Sequence, residues 1–153
     1  MFIIIGVTVV AIIIYMIIAA REIVGGIVYV EEKNTLKYLL VTTKNSERWI
    51  FPKGKVKYFE FNRHAVSREV EEEAGVNANM NFKLDGNPFI YRKLSGKQQS
   101  IDLYAMEYLN EAQRWKEKNK RNRKWVSFNE ANNVLSTELR RALKEVHSKL
   151  IKH

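Results

Sequence analysis

The sequence predicts an α+β domain preceded by one N-terminal transmembrane helix, and a few observations carry that expectation. Residues 1–20, MFIIIGVTVVAIIIYMIIAA, hold no charged side chain. Short β-rich runs bounded by turn residues recur between residues 23 and 126. Segments 63–74 and 137–151 have helical composition and spacing, one set among the strands and one after them.

Only Gly6 and Thr8 interrupt the first apolar run. Twenty helical residues span about 30 Å, the hydrocarbon thickness of a bilayer. A strand of that length would be abnormal. A cleaved signal peptide fits less well, because no basic residue precedes the run and Ile18 stands where cleavage after Ala20 needs a small side chain. A helix buried against the domain or a partner is the other reading. Basic residues begin at Arg21, so the positive-inside rule puts the N-terminus outside and a catalytic domain in the cytoplasm, as a single-pass membrane protein. The expected organisation is an anchor over 1–20 and one domain over 21–153.

Beyond the apolar run, Ile23–Val30 reads as a strand with a Gly25-Gly26 break, and Leu36–Thr42 as a second across the turn-like Glu31-Glu32-Lys33-Asn34. Trp49-Ile50-Phe51 leads into a Pro52-Lys53-Gly54 turn. Segment 63–74 lacks Gly and Pro and is rich in Glu and Ala, which favours helix, and Gly75 stops it. Asn81–Leu84, Phe89–Lys93 and Ser100–Tyr108 read as strands, the last two joined by a loop over Leu94–Gln99. Lys124–Val126 is a short strand. Asn129–Leu135 is a short helix with Asn129 as its cap. Thr137–Ile151 is a basic amphipathic helix with Leu139, Leu143, Val146 and Leu150 on one stripe.

The chain carries 26 Lys and Arg against 17 Asp and Glu, a net charge of +9, all of it beyond the apolar run. Such a balance suits polyanions (nucleotides, inositol phosphates, RNA or an anionic leaflet) or a merely solvated basic surface. With no Cys there is no disulfide framework, thiolate chemistry or zinc–thiolate site.

The chemistry concentrates in residues 54–76. Glu69, Glu72 and Glu73 stand at i, i+3 and i+4, so all three carboxylates share one helical face. Like charges so placed repel, and the helix gains from them only with a cation between them. Hard oxygen donors suit Mg2+ or Mn2+ together with phosphate oxygens. Val66, Val70 and Ala74 point elsewhere and can pack the helix on a sheet. Gly54 sits where backbone can approach a ligand closely. A solvated acidic face, with Arg68 as a local partner, is the plain alternative.

The full pattern is Gly54-x5-Glu60-x7-Arg68-Glu69-Val70-x-Glu72-Glu73-x-Gly75-Val76. Its seven fixed and two aliphatic positions would coincide by chance at roughly one start in 10^9 at ordinary residue frequencies, which separates it from an acidic helix face. The chain therefore resembles the Nudix hydrolases. Trp49-x-x-Pro52-Lys53-Gly54-Lys55-Val56, Trp115, Lys124-Trp125-Val126 and Glu130-Ala131 extend the likeness toward diadenosine polyphosphate and diphosphoinositol polyphosphate hydrolases. Tyr58-Phe59 depart from it, standing where those relatives place Pro-Gly.

The resemblance implies an α/β/α sandwich with a mixed sheet. It implies that Glu69, Glu72 and Glu73, with the Lys53 backbone carbonyl, hold Mg2+ or Mn2+. Arg68 would orient the carboxylates, Glu60 would brace the loop, and Glu72 is the first candidate to take a proton from water. The implied reaction splits phosphoanhydrides in nucleoside diphosphates linked to another group: dinucleoside polyphosphates first, then nucleoside triphosphates, capped RNA ends and diphosphoinositol phosphates. Arg48, Lys53, Lys55 and Lys57 flank the box as candidates for outer phosphates. Tyr91 and Lys93 fall on one face of a strand, and Tyr91 either stacks on a base or packs. Glu111 and Glu117 are candidates for a further carboxylate, with solvated charges the better reading of each. Trp115, Trp125, Tyr104 and Tyr108 read as core or surface anchors. His64, His147 and His153 read as solvated, and Lys116–Lys124 as a solvated loop or a polyanion site. A non-catalytic Nudix-fold module that binds nucleotide or RNA at the membrane is the alternative function.

Overall fold

Strand β1 (Ile23–Glu32) is the centre around which the domain is built. The computed structural model describes residues 2–19 and 21–152. Six residues of β1 in a row, Val24 to Tyr29, are buried, as expected of a strand covered on both faces. Its neighbour along Ile23–Tyr29 is β7 (Gln98–Glu111), which runs parallel to it, with Ile23 opposite Ile101. The other edge of β1 is shared. Its far half pairs antiparallel with β2 (Thr35–Thr42) and its near half with β4 (Lys53–Lys55). Strand β2 then takes β3 (Trp49–Ile50) and β8 (Arg123–Ser127), and β7 takes β5 (Val76–Lys83) and β6 (Phe89–Arg92). The result is one mixed eight-stranded sheet.

Helix α2 (Asn62–Ala74) lies against one face, packed on β1, β4 and β5. A Cβ at Gly26 would stand only 2.8 Å from Val70 and 3.3 Å from Val66, so glycine there lets the helix come close. Tyr29 lies three residues on, with unbroken register, and so faces the other way. Its partner Tyr38 reaches α4 (Thr137–Leu150) on that opposite face, where its hydroxyl lies 2.7 Å from His147 Nδ1. Helix α3 (Phe128–Val134) packs on β2, β8 and α4. This is the expected layering of helices on both sides of a mixed sheet. The stripe is buried as read: Leu139, Leu143 and Val146 on α4, and Val66, Val70 and Ala74 on α2. Each fully buried Val or Leu contributes about 1.5–3 kcal/mol relative to exposure.

The structure corrects several expectations. Helix α1 (Phe2–Ala19) has 18 residues, a length of about 27 Å against the about 30 Å of a bilayer core. Among the described residues no helix is long and apolar enough to cross a membrane. The transmembrane anchor, the single-pass topology and the membrane as a partner are therefore withdrawn. The side chains described in α1, Gly6 to Tyr15, are exposed. Lys53-Gly54-Lys55 is a strand rather than a turn, because β1 offers it a free edge. The hairpin turn narrows to Lys33-Asn34, both with positive φ, 50° and 60°. The cap of α3 is Ser127, not Asn129: its hydroxyl accepts from the Glu130 N–H while Glu130 accepts from the Ser127 N–H. Strand β5 begins directly after Gly75, earlier than the expected Asn81.

Candidate functional site: carboxylates on α2 beside a basic cleft

Helix α2 presents its carboxylates where β4 passes beneath it. A Cβ at Gly54 would fall inside the Glu69 carboxylate, so glycine in β4 lets that side chain lie across the backbone. One strand position earlier, the Lys53 N–H donates to Glu73 Oε2 at 3.1 Å. The acidic face therefore rests directly on the strand that carries Lys53 and Lys55.

Arg68 ties this region together. It donates to Glu60 at 2.8 and 3.0 Å, to Glu69 Oε1 at 2.5 Å and to the Lys55 carbonyl at 3.0 Å, and it lies 3.7 Å from Glu72. Glu60 in turn accepts from the Lys57 N–H at 2.8 Å. The Arg68 hydrogen bonds hold the Glu60 carboxyl below its usual range against the opposing pull of desolvation. Arg68 thus lies between Glu60 and Glu69, and Glu60 closes onto the Lys57 turn.

The other carboxylates also have cationic partners. Lys116 Nζ lies 3.2 Å from Glu72. Arg121 donates to Glu73 at 2.6 Å, to Glu117 at 2.6 Å and to the Thr42 carbonyl at 2.9 Å. Glu73 is 4% exposed, and burial pushes its pKa up to about 7 against the pull of Arg121 and the Lys53 N–H. Among the described residues no three acidic or histidine side chains converge into a ready-made cation cage. The donor chemistry still suits a hard cation: Mg2+ keeps several waters and takes one or two carboxylates plus substrate phosphate.

Beside these groups opens a cleft of about 330 Å3, lined by Lys44, Lys53, Tyr91, Lys93, Arg121 and hydroxyls of Thr43, Ser46 and Ser95. Tyr91 is 3% exposed, with Arg48 4.9 Å and Lys53 4.7 Å from its ring centroid. It packs rather than offering a free face for a base. Burial lowers the Lys53 pKa to about 8, the charge of Glu73 opposing the shift. Of the candidate substrate contacts, Lys53, Tyr91 and Lys93 line this cleft and Arg48 lies against the Tyr91 ring. Lys55 lines a second cleft with Arg21, Glu22, Lys97 and Ser100, and Lys57 supports the turn through its backbone.

Glu117 is not a solvated charge. It is 9% exposed and clamped between Arg121 and Lys44, at 2.6 and 2.8 Å. Glu111 lies elsewhere, against Arg123 and Trp125. The basic run 116–124 is no free loop either, since Arg121 enters the site and Arg123 donates to the Ala74 carbonyl at 2.6 Å. Trp115 closes the end of α2 by donating to the Glu73 carbonyl at 3.1 Å. Trp125 and Tyr108 pack edge to face, 5.3 Å apart, and Tyr104 is buried. His64 is exposed as expected, and His153 lies outside the described residues. His147 differs: it stacks on Phe128 at 4.1 Å and shares a hydrogen bond with the Tyr38 hydroxyl. Arg121, Lys44 and Thr43 were the site residues missed, and Arg121 left only the trace of one Arg in a basic run.

A mixed sheet with a glutamate-bearing helix laid over a glycine strand defines a family as well as a geometry. The model of the NUDIX domain matches residues 20–152, and the chain belongs to that family. It is 30% identical to Nudix hydrolase 4 of Arabidopsis thaliana over 122 residues, 74% of this chain and 58% of that protein. It is 38% identical over 73 residues to the mRNA-decapping enzyme subunit 2 of Saccharomyces cerevisiae, 48% of this chain and 7% of that one. The chain thus spans little more than half, or far less, of these curated relatives. Its fold is similar to that of a Caenorhabditis elegans Ap4A hydrolase in binary complex, with a TM-score of 0.68, 20% identity, and coverage of 88% of this chain and all (100%) of that one.

Proposed function

We propose that this chain hydrolyses phosphoanhydride bonds in nucleoside diphosphates linked to a further group, with Mg2+ or Mn2+ as cofactor. Dinucleoside polyphosphates are the leading substrates and nucleoside triphosphates the next. The observation that carries this reading is the juxtaposition of the Glu69/Glu72/Glu73 face with a cleft walled by Lys53, Lys93 and Arg121. The named activities of the Arabidopsis and C. elegans proteins agree with it, and the yeast protein makes an RNA 5′ end a third substrate to test.

Glu69, Glu72 and Glu73, with the Lys53 carbonyl, would hold the cation, which supplies offsetting charge for the phosphoryl oxygens and acidifies water. Arg68 holds Glu69 at a fixed angle through its bond to Glu60. Glu72 stands farther from its cations, 3.2 Å from Lys116 and 3.7 Å from Arg68, than Glu69 and Glu73 do from theirs, at 2.5 and 2.6 Å, and is assigned the proton of the attacking water. Lys53 and Lys93 meet the outer phosphates as point charges. Tyr91, sealed beneath Arg48 and Lys53, keeps those cations in place.

The test is to incubate the full chain with Mg2+ and a panel of dinucleoside polyphosphates, nucleoside triphosphates, capped RNA and diphosphoinositol phosphates, and to identify products. Metal-dependent release of a nucleotide is expected. A folded protein that binds Mg2+ and these nucleotides yet cleaves none of them would replace the hydrolase reading with that of a nucleotide-binding module.

A further inference from the structure

The turn Lys57–Glu60 carries a ring that nothing in the fold requires. Glu60 N–H donates to the Lys57 carbonyl at 3.2 Å, closing a four-residue turn with Tyr58 and Phe59 at its centre. Phe59 has φ +57°, the left-handed conformation that a turn of this kind assigns to glycine at its third position. A phenylalanine there costs conformational energy that glycine or asparagine would not. Glu60 enforces the turn, because its carboxylate accepts from the Lys57 N–H and is gripped by Arg68.

The strain is not offset by burial. Phe59 is 105% exposed, with Phe61 at 71% and Tyr58 at 45% close by. Single exposed apolar residues need no explanation, but three large rings within four positions form a patch. Tyr58 is already covered, since Arg21 stacks 4.2 Å from its centroid, and Phe61 meets His64 edge to face at 5.8 Å. The Phe59 ring touches only the tilted edge of Tyr58, at 6.3 Å between centroids, which leaves a flat apolar face to solvent.

Its position suggests the ligand. Phe59 adjoins Glu60, whose partner Arg68 also holds Glu69, so the turn that bears the ring is tied to the carboxylate face. Arg21, which stacks on the neighbouring Tyr58, lines the second cleft together with Lys55 and Lys97. An exposed ring next to cations and a phosphate-handling carboxylate site is the arrangement that receives a nucleotide, base on the ring and phosphates on the charges. Tyr91, the other aromatic beside the carboxylates, is sealed and cannot serve.

We propose that Phe59 is a stacking platform for the nucleobase of the substrate, held in a strained turn by Glu60. The inference rests on the hydrolase reading for its ligand, but its test does not need turnover. Phe59→Gly removes the ring and relieves the turn, so the variant should melt at a higher temperature than the parent. In the full chain with Mg2+, the ratio of KM for ATP to KM for inorganic tripolyphosphate should rise about tenfold in Phe59→Gly, the loss expected for one base–aromatic stack. Phe59→Trp should keep or lower that ratio. Equilibrium binding of a fluorescent ATP analogue to Glu72→Gln, with and without Phe59→Gly, reads the same contact without cleavage. If no substrate is cleaved but the analogue binds through Phe59, the platform stands and the hydrolase reading falls. A ratio and an affinity that do not change in Phe59→Gly overturn the platform. So does a loss of self-association in light scattering without any change in nucleotide affinity, which would assign the ring to contact between copies.

Discussion

Helices α2 and α4 cover opposite faces of one sheet, yet they are held by different forces. Helix α4 is held by volume: Leu139, Leu143 and Val146 are buried, while its outer face is left to Arg141, Lys144 and Ser148. Apart from the ion-paired Glu73, helix α2 buries only small side chains, Ala65, Val66, Val70 and Ala74, the valines meeting Gly26. Polar clamps supply the rest. Arg68 binds Glu60 and the Lys55 carbonyl on one side, and Arg123 and Trp115 take the last carbonyls. A helix that must keep three carboxylates available cannot enclose them in apolar contacts, because a buried unpaired charge is prohibitively costly. Its position is set by close approach and by ion pairs instead.

The contrast predicts that substitutions on the two helices separate activity from stability. The largest effect belongs to Glu72→Gln, which should lower kcat by about 10^3-fold while the melting temperature stays within a degree or two, since its side chain is partly solvated. Steady-state kinetics beside calorimetry would show this, and retained turnover would remove Glu72 from the mechanism. The mirror case is Leu143→Ala on α4. It should cost about 2–5 kcal/mol in urea unfolding with kcat per folded molecule unaltered. Gly54→Ala comes third: the new Cβ displaces the Glu69 carboxylate, and a shift of that size should lower kcat/KM by about 10^2-fold. An active Gly54→Ala enzyme would mean that Glu69 need not lie on β4.

The smallest effect sharpens the comparison at the polar contact between α4 and the sheet. Burial raises the Tyr38 pKa and lowers the His147 pKa, and the Tyr38 hydroxyl shares a hydrogen bond of 2.7 Å with His147 Nδ1. With its folded pKa below the unfolded value, His147 contributes full stability above pH about 6.5, and this is lost as pH falls through the folded pKa. The urea midpoint should therefore decline below pH 6.5 more steeply in the parent than in His147→Gln, which cannot titrate but still offers Tyr38 an oxygen. Parallel curves would place the acid sensitivity elsewhere.

Legibility in the sequence followed the range of the interactions. The span of α2 and most of the α4 stripe, Leu139, Leu143 and Val146 but not the half-buried Leu150, depend on i+3 and i+4 spacing and are legible in the sequence. Strand β4 is not, because Lys53-Gly54-Lys55 has no apolar alternation and becomes a strand only when β1 offers an edge. Arg121 joins Glu73 from 48 residues away, a pairing with no local mark. Ser127 was legible and passed over: Ser127-x-x-Glu130 is the capping-box spacing, two residues before the Asn129 that was preferred. The N-terminal run misled because composition reports apolarity but not where a helix begins and ends.

The clamp on α2 also orders events while the chain is being made. Gly75 ends the helix with φ +65°, but the carbonyls just before it are satisfied by Trp115 and Arg123. Strand β1, on which α2 lies, meets its parallel partner only when Ile101 and its successors arrive. A nascent chain that has just emitted Glu73 therefore has the three carboxylates of the α2 face and neither the floor nor the lock that positions them. Chain-distant pairings of this kind slow folding. Synthesis must pass Arg123, 49 residues beyond Ala74, before the end of α2 has its lock.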